Sequence, residues 1–231
     1  MDQLKTSYPV EIRVRHGRAA MIKMPKMFDG YPTPAIEWFA GGALIEPNAK
    51  FAITKDFDLV ILRSDKADEK SYYVEASSIH TGIKIRSKEI RLIVTDGSSI
   101  DENYGSNDED STDDQQTDLE FIVKPVDTVA KLNDNLVKFD CIVNSRRVPL
   151  DQLEINWFKD NQLIDFIKTK YHLSARSLEI ISVTDQDAGI YTCLVKHSYM
   201  SFSNNNSPEE QLDKKLTHLN ASAKLDVYSK F

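Results

Sequence analysis

Cysteine and glycine are scarce in this chain. Two cysteines among 231 residues cannot build a disulfide-dense miniprotein, and alone they cannot close a structural zinc site. The eight glycines form neither GxGxxG nor GxxxxGKS/T, so phosphate-cradling loops of the usual kind are excluded. No apolar run approaches the roughly 18 residues that a membrane-spanning helix needs. The stretch Met1 to Thr6 is polar and lacks the apolar core of a secretory signal. The five histidines, His16, His80, His172, His197 and His218, are scattered, without HExxH or any other metal-ligand spacing. No Gly-x-Ser-x-Gly elbow occurs either. The chain is therefore expected to be no enzyme, with no catalytic, metal or cofactor-binding residues and no small-molecule substrate.

Positive charge is missing from one place. Between Asp96 and Asp118 there are nine acids and no Lys or Arg, and leaving this stretch out moves the net charge from −7 to +2. The negative charge is thus local, and the remainder shows no basic excess of the kind nucleic-acid binding requires. Residues 96–118 have only Ile100 and Tyr104 as sizeable apolar side chains. Such a segment cannot offset its ordering entropy and is expected to be a disordered linker. An EF-hand calcium loop starting at Asp108 fails, because the required glycine is absent and the twelfth place is Leu119.

What is present is alternation. In the second half, Val137, Phe139 and Cys141 alternate with Leu136, Lys138 and Asp140, a period of two with one apolar face. Leu153, Ile155 and Trp157 follow, then Leu178 and Ile180, then Tyr191, Cys193 and Val195. A last run places Leu219, Ala221, Ala223, Leu225 and Val227 on one face. Strands separated by turn residues, with no sustained helical period, indicate an antiparallel sandwich. The first half has the same order of parts: Ala20, Ile22 and Met24; the turn Tyr31-Pro32-Thr33-Pro34; Ile36 and Trp38; Leu59 and Ile61; Tyr72 and Val74; and Ile90, Leu92 and Val94. The halves read as two copies of one module.

The residues that name the module are Cys141, Trp157 and Cys193, spaced 16 and 36 apart, with Asp187-Ala188-Gly189-Ile190-Tyr191 leading into the second cysteine. This pattern resembles an immunoglobulin-superfamily domain. The resemblance implies a bridge between Cys141 and Cys193, with Trp157 packed on it. It also implies a tyrosine corner at Tyr191, and Asp187 as a turn acid paired with a basic side chain. The first half resembles the same module without its bridge: Trp38-Phe39 matches Trp157-Phe158, Leu59-x-Ile61 matches Leu178-x-Ile180, and Tyr72 precedes Val74 where the second cysteine would stand. The first cysteine position falls near Ile22 or Met24. The expected fold is all-β, with two tandem immunoglobulin-like (I-set type) β-sandwiches. One spans 8–95 without a disulfide and the other 119–229 with one, joined by the acidic linker 96–118.

Two stretches narrow the family. The run from Tyr31 to Trp38, followed by Asp58-Leu59-Val60-Ile61-Leu62, resembles the second immunoglobulin domain of the sidekick family. The approach to the second tryptophan, Arg147-Val148-Pro149-Leu150-Asp151-Gln152-Leu153-Glu154-Ile155-Asn156-Trp157, is similar to that of the family's third domain. Sidekick proteins are single-pass cell-surface molecules that mediate homophilic adhesion at synapses and junctions. The resemblance implies a cell-adhesion fragment on the extracellular side of the plasma membrane, whose partner is the same or a related receptor. Membrane attachment would come only through parts of a longer chain. Two alternatives are a ligand-binding ectodomain portion of a receptor kinase or phosphatase, and an intracellular muscle-type immunoglobulin array with reduced cysteines.

Two further features stand out. Asn205-Asn206-Ser207 and Asn220-Ala221-Ser222 are candidate N-glycosylation acceptors, and Asn220 falls on the strand face opposite Leu219 and Ala221. The stretch Ser198 to Lys215 is expected to be a loop far longer than a hairpin turn. It carries Tyr199, Met200 and Phe202 as candidate binding residues.

Overall fold

The computed structural model describes residues 11–25, 34–78, 80–96, 119–146, 148–167, 170–174, 176–202 and 212–229. The chain divides into two compact units, Met1–Thr112 and Asp113–Phe231, and the division falls inside the acidic run. Residues 97–118, on which the expectation of a disordered linker rests, lie outside the described residues.

The first unit contains β1 (Glu11–Arg15), β2 (Ala20–Ile22), β3 (Ala35–Ala40), β4 (Ala43–Leu44), β5 (Phe51–Ile53), β6 (Leu59–Ile61), β7 (Ser71–Ser77), β8 (Lys84–Arg86) and β9 (Ile90–Thr95). One sheet has the order β1-β9-β7-β3-β4, with β8 also on β7, and the other has the order β2-β6-β5. The alternation puts Ile22, Leu59 and Ile61 of the smaller sheet against Trp38, Tyr72, Val74, Ile90, Leu92 and Val94 of the larger, all fully buried. Side chains at every second position share a face, so each strand gives one row to this core. The first strand runs parallel to the last, from Glu11 opposite Arg91 to Arg15 opposite Thr95. The sequence pattern placed one closing strand at Ile90–Val94. The structure has two segments, β8 and β9, which flank Ser87. Ser87 exchanges bonds with Val74, its amide donating to the Val74 carbonyl (2.9 Å) and its Oγ accepting from the Val74 amide (3.1 Å).

The second unit contains β10 (Leu119–Val123), β11 (Thr128–Lys131), β12 (Leu136–Asp140), β13 (Ile142–Ser145), β14 (Glu154–Lys159), β15 (Gln162–Leu163), β16 (Tyr171–Ser174), β17 (Ser177–Ile181), β18 (Gly189–Phe202) and β19 (Leu212–Tyr228). The larger sheet is β11-β19-β18-β14-β15, the smaller is β12-β17-β16, and β10 pairs with β13. Again the first strand of the larger sheet, β11, is parallel to the last. The core gathers Phe139, Cys141, Trp157, Leu178, Ile180, Tyr191, Cys193 and Val195. Both units are β-sandwiches, and the fold is all-β.

Candidate functional site

The centre of the second unit is built around Trp157. The indole lies fully buried and stands opposite Cys193 in the β14–β18 pair. Cys193 is disulfide-bonded to Cys141, with Cα atoms 6.3 Å apart. Phe139 packs on the same group, its ring 6.4 Å from Trp157 and 5.2 Å from Tyr191. The Tyr191 hydroxyl donates to the Asp187 carbonyl at 2.7 Å, which fixes the turn entering β18. Burial pushes its phenol well above the usual range, so it stays a neutral donor. The Asp187 carboxylate closes that turn by accepting from the Thr184 amide (2.6 Å) and Thr184 Oγ1 (2.9 Å). Its cationic partner is Lys170. Burial opposes ionisation of Asp187, but the Lys170 and Thr184 bonds outweigh it and hold the carboxyl below the ordinary range.

The first unit repeats this geometry with different side chains. Trp38 stands opposite Val74, and the Tyr72 hydroxyl donates to the Asp68 carbonyl at 2.9 Å. Lys50 holds both Asp65 and Asp68 at 2.7 Å, the relation Lys170 has to Asp187. Register decides which residue takes the place of the first cysteine. Ile22 pairs with Leu59 as Phe139 pairs with Leu178, and Cys141 lies two residues beyond Phe139, so Met24 is its counterpart. Met24 is half-buried and packs against the core. A flexible thioether and a valine at these two places supply apolar volume where the second unit has its bridge. Lys50 and Lys170 were not singled out in the sequence, because a lone lysine in the bend just before a short strand has no local signature.

The outward faces of the two larger sheets carry apolar and aromatic side chains. In the first unit Leu44 is opposite Phe39, and Phe39 is opposite Tyr73. The two rings stack at 4.9 Å with 5° between planes. Arg86 extends the row, its guanidinium 3.4 Å from the Tyr73 centroid and held by Glu89 at 2.7 Å. In the second unit the corresponding face carries Phe158, Ile190, Thr192 and Leu194, with Leu163 at its edge. Ile190 and Leu163 are exposed. Among the described residues no group of three His, Cys, Asp or Glu side chains could hold a metal.

Two family patterns fit the two units. The immunoglobulin I-set domain matches residues 5–94, and the immunoglobulin domain matches residues 120–197. The chain belongs to the immunoglobulin superfamily. Sidekick relatives align across both immunoglobulin units. Mouse protein sidekick-2 is 32% identical over 180 residues, 78% of this chain and 7% of its own length. Fruit-fly protein sidekick is 27% identical over 188 residues, covering 80% and 8%. The chain therefore spans less than a tenth of the curated relatives it matches. The solved structure of sidekick-1 immunoglobulin domains 1–4 superposes with a TM-score of 0.69 at 23% identity, covering 97% of this chain and 50% of that one. That likeness shows the fold.

The second immunoglobulin unit departs from expectation at its last hairpin. Instead of a loop from Ser198 to Lys215, the ladder between β18 and β19 continues to Phe202 opposite Leu212. Tyr199, Met200 and Phe202 thus belong to a strand. Their side chains, and residues 203–211 with Asn205, lie outside what is described. The ladder outruns the rest of its sheet, because β14 ends its pairing at Glu154 opposite Lys196. The family match stops at residue 197, where this two-stranded extension begins. Tyr199, Met200 and Phe202 do not alternate strictly with polar residues, so no period of two marks this stretch as a strand. Asn220 is exposed on β19, opposite Leu194.

Proposed function

We propose that this immunoglobulin pair is an extracellular recognition fragment that binds a second copy of its own receptor and so takes part in homophilic cell adhesion. The observation that carries the reading is alignment with sidekick relatives across both units, at 32% identity to the mouse protein over 78% of the chain. The Cys141–Cys193 bridge supports an oxidising, extracytoplasmic setting over a muscle-type array, since cytosolic thiols are kept reduced. The chemistry is burial of side-chain surface between sandwiches, with no bond made or broken and no cofactor.

The two units alone offer a small part of a longer receptor, so self-affinity should be weak, on the order of 100 μM or poorer, about −5.5 kcal/mol. Sedimentation equilibrium on this chain, and on a four-domain version carrying its natural neighbours, measures this directly. Bead aggregation gives a second readout. Tighter self-association of the longer protein supports the reading. A four-domain protein that stays monomeric at high concentration on dispersed beads overturns it, and the heterophilic receptor reading then replaces it.

A further inference from the structure

We propose that Asn220 carries an N-linked glycan, and that this glycan shields the outward face of the larger sheet of the second unit from protein contacts. The inference rests on the extracellular half of the reading above, not on homophilic binding. Asn220-Ala221-Ser222 is an acceptor triplet, and the fold presents it in the one way a glycan tolerates. Ala223 and Leu225 of β19 are buried in the core, while Asn220, Ser222 and Lys224 are exposed on the other face. The opposite phase would put the sugar in the core, which no sandwich could close around.

The neighbourhood is open on one side. The first strand of the sheet pairs with β19 only from Leu225 to Tyr228, so among the described residues no strand of this sheet is hydrogen-bonded beside Asn220 on that flank. On the other flank the register places Leu194 opposite Asn220 and Asn156 opposite Leu194. The three side chains form one row across β19, β18 and β14. A core oligosaccharide leaving Asn220 therefore lies over Leu194. This face also bears the exposed Ile190 and Leu163, apolar surface that unshielded would invite nonspecific association. A bulky, hydrated sugar offsets that tendency.

An oligosaccharyltransferase brings the sugar on a lipid pyrophosphate. A bond forms between Asn220 Nδ2 and the anomeric carbon, the bond from that carbon to the pyrophosphate oxygen breaks, and the pyrophosphate leaves with the electron pair. One amide proton is lost to base. Transfer precedes folding of the hairpin, because in the fold Asn220, Ala221 and Ser222 are paired with Leu194, Cys193 and Thr192 of β18, and the Ser222 hydroxyl also meets Thr192, Oγ to Oγ1 at 2.8 Å.

The test is the full 231-residue chain, secreted from animal cells behind an added signal peptide, deglycosylated in heavy-oxygen water and digested. The peptide containing Asn220 should carry labelled aspartate, and Asn220→Gln and Ser222→Ala should each remove one glycan from the gel pattern. Ser222→Thr, which keeps both acceptor and hydroxyl, should retain it. Asn205→Gln separates the other triplet. An unlabelled Asn220 peptide from secreted, disulfide-bonded protein overturns the proposal and leaves the extracellular reading standing. Secreted protein in which Cys141 and Cys193 stay reduced and Asn220 is unlabelled overturns both. For shielding, hydroxyl-radical oxidation of Leu194 should be at least about three-fold lower in the glycosylated protein than in folded Asn220→Gln. Equal oxidation refutes the shield even if the glycan is present.

Discussion

Asp160 and Gly189 share a space that holds only one side chain. A Cβ on Gly189, whose φ is +151°, would lie 2.6 Å from Asp160 Oδ2. That carboxylate is held in place by the Ile190 amide at 2.9 Å. The first unit solves the same problem in reverse. Its tight turn, Gly41-Gly42 between β3 and β4, matches Asp160-Asn161 between β14 and β15; all four residues have positive φ, as a two-residue hairpin of this hand demands. There the glycine sits in the turn, and Lys70 stands where the second unit has Gly189, its Cδ 3.8 Å from a Cβ placed on Gly41. The exchange explains how Lys70 can replace a glycine in the run leading to the corner tyrosine.

Gly189→Ala should therefore destabilise the second unit by about 1–3 kcal/mol, from the clash and the strained backbone together. Asp160→Gly in the same protein should return part of that loss, while Asp160→Gly alone costs the Ile190 bond. Chemical denaturation of the four proteins gives the coupling energy. Strict additivity would show that the two positions do not compete.

Each unit has one tryptophan, Trp38 or Trp157, so Trp157→Phe and Trp38→Phe proteins report the units separately by fluorescence. Reductant, or Cys141→Ala with Cys193→Ala, should lower the stability of the second unit by roughly 2–5 kcal/mol. The transition reported by Trp38 should not move. A reductant-sensitive Trp38 signal would show that the first unit depends on the bridge in the second.

Register makes Met24 and Val74 the counterparts of Cys141 and Cys193. Met24→Cys with Val74→Cys should form a bridge under oxidising conditions and stabilise the first unit by up to about 4 kcal/mol relative to the reduced pair. Thiol titration and melting with and without reductant check this. Ile22→Cys with Val74→Cys should leave two thiols.

Asp187 ties second-unit stability to acid. Its folded carboxyl is held below the ordinary value by Lys170 and Thr184 against the opposing effect of burial. Its contribution is thus complete above the unfolded value near pH 4 and is lost as pH falls through the lower folded value. Asp187→Asn should cost about 1–3 kcal/mol at neutral pH. It should also flatten the loss of stability below about pH 4, measured by denaturant titration at several pH values. An unchanged acid limb would assign that limb to other carboxylates.

The corner tyrosines supply a matched pair of tests. Tyr72→Phe and Tyr191→Phe each remove one buried bond, to the carbonyls of Asp68 and Asp187, and each should cost about 1–3 kcal/mol in its own unit. A loss confined to one unit would mean that the corners are not equivalent.

The sequence alone determined the core-forming rows of the main strands. Period-two alternation needs no tertiary information, because burial on one face of a strand is written directly into every second residue. It placed Trp38, Tyr72, Val74, Trp157, Tyr191 and both cysteines, all fully buried. Tertiary structure decided what depends on pairing between distant segments. It selected Met24 over Ile22 through cross-strand register, brought Lys50 to Asp65 and Asp68 and Lys170 to Asp187, and set Asp160 against Gly189. It also turned an expected loop into the far end of the β18–β19 ladder. Backbone pairing there follows from the strands already aligned below it, and a one-dimensional pattern of side chains does not record which backbone groups find each other.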